Sequence, residues 1–473
     1  MTSAPRGSRL LSDMVSFAFG NLSAQFVTIA MIPFYTQQLS TSEYGSLDLI
    51  LAAAALVLPA ATLSVSDAVL RFLVHDPERR GPILAGGLLV TLVGATVCLV
   101  ASVVMGVVTD QRLFLFSLPA LVAAQGYQNL MAQYTRALGG SRLFALSGVT
   151  QALTLAVCNV LLLGFLDMGV EGYLVSVLVS NATAIVFLST TTHRTYGHAA
   201  LSIQWPLIRT MLAYSTPLVP NSAIWWVVNM SSRFFLLASA GLGTVGVYAI
   251  AVRVPTLITV VSLVFAQAWQ LTAFREHSSQ DQPRFYARVF EIYSSSLCLG
   301  IAVILVVLKP LFAAAVSPEY YIAWTFTPYL LLAALFMAFS SFIGTNYLAS
   351  MGTKHAFSTS LLGGLACVSL SALLVPPWGG IGAAVATMGG YAVMWLARVW
   401  NTWQLVTMQP RYTTLVVNLG LIASQVVALN IGIQPSWETG VLASIVCVMV
   451  VVNKRELTDG WRQASVTVRH MRS

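Results

Sequence analysis

The chain has 473 residues, of which 57% are hydrophobic and only 8% charged, with a mean hydropathy of +0.79. A soluble domain carries about 25% charged residues, so the composition excludes that class and points to an all-α protein embedded in lipid. The net charge of +8 would suit nucleic acid in a soluble domain, but these basic groups are spread over short loops, where an anionic inner leaflet accounts for them, and nucleic acid is excluded as a partner.

Apolar runs of roughly 20 residues, the length a helix needs to cross about 30 Å of hydrocarbon, recur about fourteen times. In chain order they cover residues 10–34, 46–70, 83–108, 113–135, 143–166, 173–188, 211–237, 246–271, 289–308, 324–348, 357–375, 381–399, 415–433 and 441–452. The first run is too long for a secretory signal and is read as a retained span. With a cytoplasmic N-terminus, nearly all Lys and Arg, among them Arg71, Arg136, Arg142, Arg284, Arg288 and Lys354, fall at the inner face. Arg112 and Lys309 are the exceptions. Both termini are therefore expected in the cytoplasm and the protein in the cytoplasmic (inner) membrane, crossing it many times.

Catalytic signatures are scarce. The five cysteines all lie within expected spans without a CxxC or zinc spacing, and the six histidines fall in inner loops or the tail. No P-loop, HExxH, GxSxG or glycine-rich dinucleotide turn occurs. No metal, cofactor or enzymatic activity is expected, which leaves a channel, a secondary transporter or flippase, and a membrane glycosyltransferase. The last would require a carboxylate-rich loop for a metal-bound nucleotide sugar, and the outer loops carry only scattered acids.

The chain echoes itself. Glu43-Tyr44-Gly45-Ser46 opens the second span and Gly246-Val247-Tyr248-Ala249 the eighth. Tyr134 with Gly140-Ser141-Arg142 closes the fourth, and Tyr347 with Gly352-Thr353-Lys354 the tenth. A six-helix unit used twice enters the membrane from the same side each time, and such parallel repeats hold substrate at their interface. The expected organisation is an N-terminal six-helix lobe over residues 1–192, a cytoplasmic linker over 193–210 and a second lobe over 211–406. Two additional helices over 407–453 and a basic cytoplasmic tail over 454–473 follow.

Hydrocarbon cannot solvate polar faces, so these must meet other helices or water. Gln125, Gln128, Asn129 and Gln133 share one face of the fourth span. Asn221, Trp225, Trp226, Asn229 and Arg233 line a polar and aromatic face of the seventh, and Asn346 sits in the tenth. These residues, with Asp48 near the start of the second span, are the candidates for lining a cavity; interhelical hydrogen bonding is the competing explanation. Asp67 and Arg71, four apart, are expected to neutralise each other. Arg253 is harder to absorb. It stands about 10 Å inside its apolar run, with no carboxylate a turn away, at a cost of roughly 3 kcal/mol or more near a span's centre. It is either a strut paired across the lobes with Asp48 or a fixed cation for an anionic substrate, and a guanidinium suits phosphate.

The stretch Tyr214-Ser215-Thr216-Pro217-Leu218-Val219-Pro220-Asn221-Ser222, with Trp225-Trp226, Asn229-Met230-Ser231-Ser232-Arg233, Gly246-Val247-Tyr248, Arg253-Val254-Pro255 and Phe265-Ala266-Gln267-Ala268-Trp269, resembles the polysaccharide-biosynthesis, O-antigen-type flippases. These belong to the multidrug/oligosaccharidyl-lipid/polysaccharide exporter (MOP) superfamily. Ser42-Glu43-Tyr44-Gly45 and Gly352-Thr353-Lys354 are similar to that family too. The resemblance implies two six-helix lobes around a partly cationic cavity, open alternately to each face, plus two extra helices. It implies as substrate an oligosaccharide on a polyprenyl diphosphate, turned from the inner to the outer leaflet, with polysaccharide polymerase or assembly proteins as partners beside membrane lipids. Arg253, helped by Arg233, would hold the diphosphate, and Pro217, Pro220 and Pro255 would let helices bend. Family members often have an acid where this chain has Ser232 and lysine where it has Arg253. The rival within the superfamily is a multidrug or small-molecule exporter.

Overall fold

A computed structural model describes residues 25–108, 112–276, 282–349, 353–403, 411–431, 434–456 and 458, and every extended regular element among them is a helix. In order these are α1 (Ile32–Gln38), α2 (Thr41–Ala61), α3 (Val65–His75), α4 (Arg80–Val108), α5 (Arg112–Ala137), α6 (Ser141–Asn159) and α7 (Gly169–Tyr196). Then come α8 (Trp205–Ser215), α9 (Leu218–Ala251), α10 (Arg253–Glu276), α11 (Gln282–Ala315), α12 (Thr327–Ala349), α13 (Thr353–Trp403), α14 (Tyr412–Asn430) and α15 (Pro435–Val452). Among the described residues nine helical stretches are long and apolar enough to cross a membrane. An all-α multi-pass membrane protein is therefore what the composition and the structure agree on.

Two of the nine, Trp205–Ala251 and His355–Thr402, run 47 and 48 residues, about twice the length of one span. Glycine divides the helix in both: Gly241 stands at φ 79 inside α9 and Gly379 at φ 50 inside α13, a region open mainly to a residue without Cβ. The halves of α13 fold back on each other with Gly390 against Cys367 and Gly382 against the Leu374 carbonyl. Expected spans 357–375 and 381–399 are these two halves, and the count of about fourteen is compatible with the helices once such breaks are allowed.

The chain divides into two compact units, residues 1–249 and 250–473. In the first, Val69, Leu73, Ile83, Leu130, Tyr134, Leu188 and Met211 form a buried apolar core. Buried hydroxyls close pairs of helices there, as between Thr135 and Thr192 at 2.7 Å. Arg80 donates to the carbonyls of Tyr196 and His198, tying the segment after α7 to the start of α4.

In the second unit an aromatic stack carries the packing: Phe265 lies 4.1 Å from Tyr293 and Trp269 4.7 Å from Phe342, centroid to centroid. Trp269 of the family-like stretch is thus a core residue, and Phe265 is partly buried in the same stack. Arg398 is 5% exposed and donates to the Ser340 carbonyl and to the Thr359 and Ser360 hydroxyls, so this cation, expected at the inner face, works as a crosslink of α12 and α13. The last two helices are held by polar bonds. Asn418 and Asn453 exchange amide hydrogen bonds at 2.8 Å. Lys309 of α11 donates to Glu438 at 2.7 Å and to the Leu429 carbonyl at 2.9 Å, with its ammonium 4.4 Å from the Trp324 ring centroid. Lys309, an exception to the inward bias of basic residues, is therefore the cation that secures α14 and α15.

Glu438 is 8% exposed in this pair, and a carboxylate left without its cation in such a place is costly. Lys309→Ala is expected to lower stability by on the order of 1–3 kcal/mol, allowing for the lysine's partial exposure. The double change Lys309→Met with Glu438→Leu should recover most of the loss, as thermal unfolding in detergent would show.

Candidate functional site

The site begins with how α2 starts. Ser40 and Glu43 form a reciprocal cap: the Glu43 amide donates to the Ser40 hydroxyl at 3.3 Å, and the Ser40 amide donates to the Glu43 carboxylate at 2.9 Å. The cap satisfies free donors of the first turn and fixes the helix that presents Gly45. A Cβ on Gly45 would stand 2.1 Å from the Leu242 carbonyl oxygen, and one on Gly246 would stand 1.9 Å from that of Thr41. Backbone therefore meets backbone where α2 crosses the segment of α9 after Gly241, the close approach that small residues permit between membrane helices. The two echoed motifs of the sequence are the two sides of this joint.

Asp48 lies about one turn beyond Gly45 and shares its face. It accepts from Arg233 Nε at 2.5 Å, while Arg233 Nη1 donates to the Asn229 carbonyl at 2.7 Å and the guanidinium carbon lies 5.6 Å from the Tyr248 ring centroid. The side chains of the pair are 7% and 15% exposed. The carboxylate weighed as a partner for Arg253 thus serves Arg233, and Ser232 in place of a family acid does not deprive Arg233 of an ion pair. Trp226 is committed nearby: its indole N–H donates to the Ala52 carbonyl at 2.7 Å and its ring lies 5.4 Å from that of Phe234. Trp225 is half-buried, and Asn229 is exposed with its amide on the Trp225 carbonyl.

The amide face of α5 faces inside the first unit. Gln125, Gln128, Asn129 and Gln133 line a polar cavity of about 510 Å³ with residues of α6 and α7, where Gln151 donates to Asn181 at 3.1 Å. The side chains of Asn221 and Asn346 lie outside those described. Arg253 is partly buried and is the first residue of α10, just after a turn at Val252. The Ala251 carbonyl, released by that turn, accepts weakly from Thr327 at 3.5 Å.

Three features were not read from the sequence. The Ser40 to Glu43 cap carried a signal in its S-x-x-E spacing. The Gly45 to Gly246 contact was visible only as an echo. The expected Asp67 and Arg71 pair does not form: the Arg71 guanidinium lies 4.6 Å from the Tyr214 ring centroid instead, a cation–π contact. Among the described residues no group of three or more His, Cys, Asp or Glu comes together to hold a metal.

Removing one member of the Asp48 and Arg233 pair strands the other charge. Asp48→Ala is expected to cost about 3 kcal/mol, and Asp48→Ala with Arg233→Ala less than the two single losses summed, a coupling of about 1–3 kcal/mol. A double-mutant cycle of thermal stabilities reads it.

No family profile matches the chain. An uncharacterized membrane protein of Methanocaldococcus jannaschii is 36% identical over 86 residues, 18% of this chain and only 17% of that relative's length. Solved structures align over 80 to 95% of the chain. A lipid II flippase, MurJ, in an inward closed conformation superposes with a TM-score of 0.69 at 11% identity, covering 95% of this chain and all of the other. An inward-facing multidrug resistance MATE transporter of the MOP superfamily gives 0.65 at 14%, covering 80% and 94%. A MOP superfamily transporter from Pyrococcus furiosus with a binding pocket of reversed polarity gives 0.60 at 13%, covering 84% and 94%. The chain has the fold of these MOP superfamily transporters.

Proposed function

We propose that the protein is a flippase that turns a polyprenyl-diphosphate-linked oligosaccharide from the inner to the outer leaflet of the cytoplasmic membrane by alternating access, for cell-surface polysaccharide assembly. It acts as a transporter, not as an enzyme. The observation that carries this reading is the positive charge at the start of α10. The cation at the start of α10 is Arg253, partly buried beside a turn at the head of an apolar helix, and in a bilayer irregular backbone is tolerated only against protein or a cavity. A guanidinium there offers two parallel N–H donors to a phosphate, whereas an exporter of cations would favour a carboxylate at such a place.

Arg253 is assigned the diphosphate, with Arg233 as a lesser helper whose Nε is engaged by Asp48. Trp225 and Asn229 supply stacking and hydrogen bonding for sugars, and the polyprenyl tail stays in the bilayer. Residues 1–192 and 211–406 act as the two lobes. The joint of Gly45 with Gly246 then links one lobe to the other, and opening it is a step of the transport cycle.

Arg253→Ala is expected to insert normally and to abolish glycan export, with the lipid-linked glycan accumulating in the inner leaflet. Arg253→Lys should retain part of the activity, since it keeps the charge and loses the planar fork. Undiminished export by the alanine variant would remove Arg253 from the mechanism. Dye efflux in cells lacking other pumps, without glycan accumulation on deletion, would favour a multidrug exporter.

A further inference from the structure

Two hollows flank the first turn of α8, and neither has a part in the transport reading. The larger, of about 820 Å³, is lined by apolar side chains of α2, α4 and α8, among them Val57, Val93, Val97, Ala101 and Leu212. The other, of about 720 Å³, is lined by Phe72, His75, Asp76, Arg79 and Gln204, among others. Trp205 lines both. Both hollows lie within the unit of residues 1–249.

The buried face of α8 fixes the helix between them. Ile208 and Met211 are 4% and 1% exposed and pack where Gly86 of α4 leaves room: a Cβ there would stand 3.0 Å from Ile208 Cγ1 and 3.6 Å from Met211 Sδ. On one flank Trp205 and Leu212 meet the apolar hollow, and on the other Leu207 and Thr210 meet the polar one. Trp205 is 68% exposed, and an exposed tryptophan suits the headgroup level of a bilayer.

The two hollows differ in depth. Asp76 and Arg79 precede α4, whereas the lining that α4 gives the apolar hollow begins at Leu89 and reaches Ala101. By helical rise that lining starts about 14 Å beyond Arg80 and continues for about 18 Å, comparable with one leaflet's half of a hydrocarbon core of about 30 Å. A hydrocarbon chain fills such a hollow, because empty space forfeits dispersion contacts. Charged groups at one end and a hydrocarbon channel below them match the layout of a phospholipid.

The charges select the headgroup. Arg79 Nε lies 3.2 Å from the Asp76 carboxylate, with side chains 60% and 42% exposed. So open a pair contributes at most about 1 kcal/mol, which leaves both groups available to a ligand. Arg80, the next cation, is directed to the Tyr196 and His198 carbonyls. One cation beside one anion complements a zwitterion: a lipid phosphate takes Arg79 and a primary ammonium takes Asp76, each through charge-assisted hydrogen bonds. An anionic headgroup would set its phosphate beside Asp76 with nothing to offset the repulsion, and a choline group has no N–H to donate.

We propose that the two hollows form one binding site for a phospholipid with a zwitterionic primary-amine headgroup, of the phosphatidylethanolamine class. The headgroup lies between Arg79 and Asp76, the glycerol beside Trp205, and one acyl chain along α4. The bound lipid braces α8 against α3 and α4. The site is separate from that of the lipid-linked substrate, whose diphosphate carries more negative charge than one arginine beside an acid can match.

The full-length protein, stripped of lipid in detergent, is unfolded thermally in mixed micelles holding dioleoyl phosphatidylethanolamine, phosphatidylcholine or phosphatidylglycerol. Phosphatidylethanolamine is expected to raise Tm saturably, as a ligand of the folded state does, at a concentration about tenfold below that of either other lipid, one charge-assisted contact being the difference. Asp76→Asn should erase most of the preference over phosphatidylglycerol. Ala101→Phe, which fills the apolar hollow and leaves the charges in place, should weaken the response to all three lipids. Native mass spectrometry, counting bound lipid on the unaltered protein and on Ala101→Phe, covers the case in which Asp76→Asn fails to fold. An equal response to the three lipids overturns the proposal, as a general effect of lipid. A preference for phosphatidylglycerol overturns it in favour of an anionic-lipid site, and a phosphatidylethanolamine preference and affinity unchanged in both variants overturns its placement here.

Discussion

The backbone contact of α2 with the last part of α9 sets the geometry of everything charged near it. Gly45 lies against the Leu242 carbonyl and Gly246 against that of Thr41, so the helix axes approach as closely as peptide groups allow. At that separation Asp48 can take only a partner on the facing helix, and the Arg233 guanidinium, anchored on the Asn229 carbonyl and over Tyr248, is the group within reach. The glycines do not bind anything. They bring the helices close enough for one carboxylate to hold one arginine in a fixed orientation within lipid.

Helix breaks organise the rest. Gly241 lets α9 change direction before the joint, the turn at Val252 places Arg253 at the start of α10, and Gly379 folds α13 back on itself. The break at Leu63 and Ser64 uses residues ill suited to the left-handed region. Water in a soluble protein would satisfy the loosened carbonyls and hydroxyls at no great cost. In a bilayer they must be met by protein, a cavity or an ion, so each break becomes a place where polar chemistry can be built.

The spans were readable because hydrocarbon thickness imposes a length and a composition on each helix, and between residues 357–375 and 381–399 the chain carries Pro376, Pro377 and Gly379, where the structure breaks the helix. The α5 amides line one cavity, and helical period alone puts them on one face. Which neighbour each polar group meets was not readable. Asp48 finds Arg233 across 185 positions of sequence, and Arg71 prefers Tyr214 to the nearby Asp67. Those choices depend on tertiary approach and not on local spacing. Gly45 and Gly246 illustrate the boundary: the repeat was visible, but that its two copies touch follows only from the fold.

The account requires the α2 joint with α9 to part during transport. A Cβ on Gly243 would lie 3.9 Å from Cβ of Thr41, within the range of about 3.5–4.5 Å that a disulfide spans. Thr41→Cys with Gly243→Cys, in a background freed of the five native cysteines, can therefore be locked by oxidation and released by reductant. Translocation of the lipid-linked glycan is predicted to stop when the pair is oxidised and to resume on reduction. Unchanged transport by the fully crosslinked protein would contradict the account.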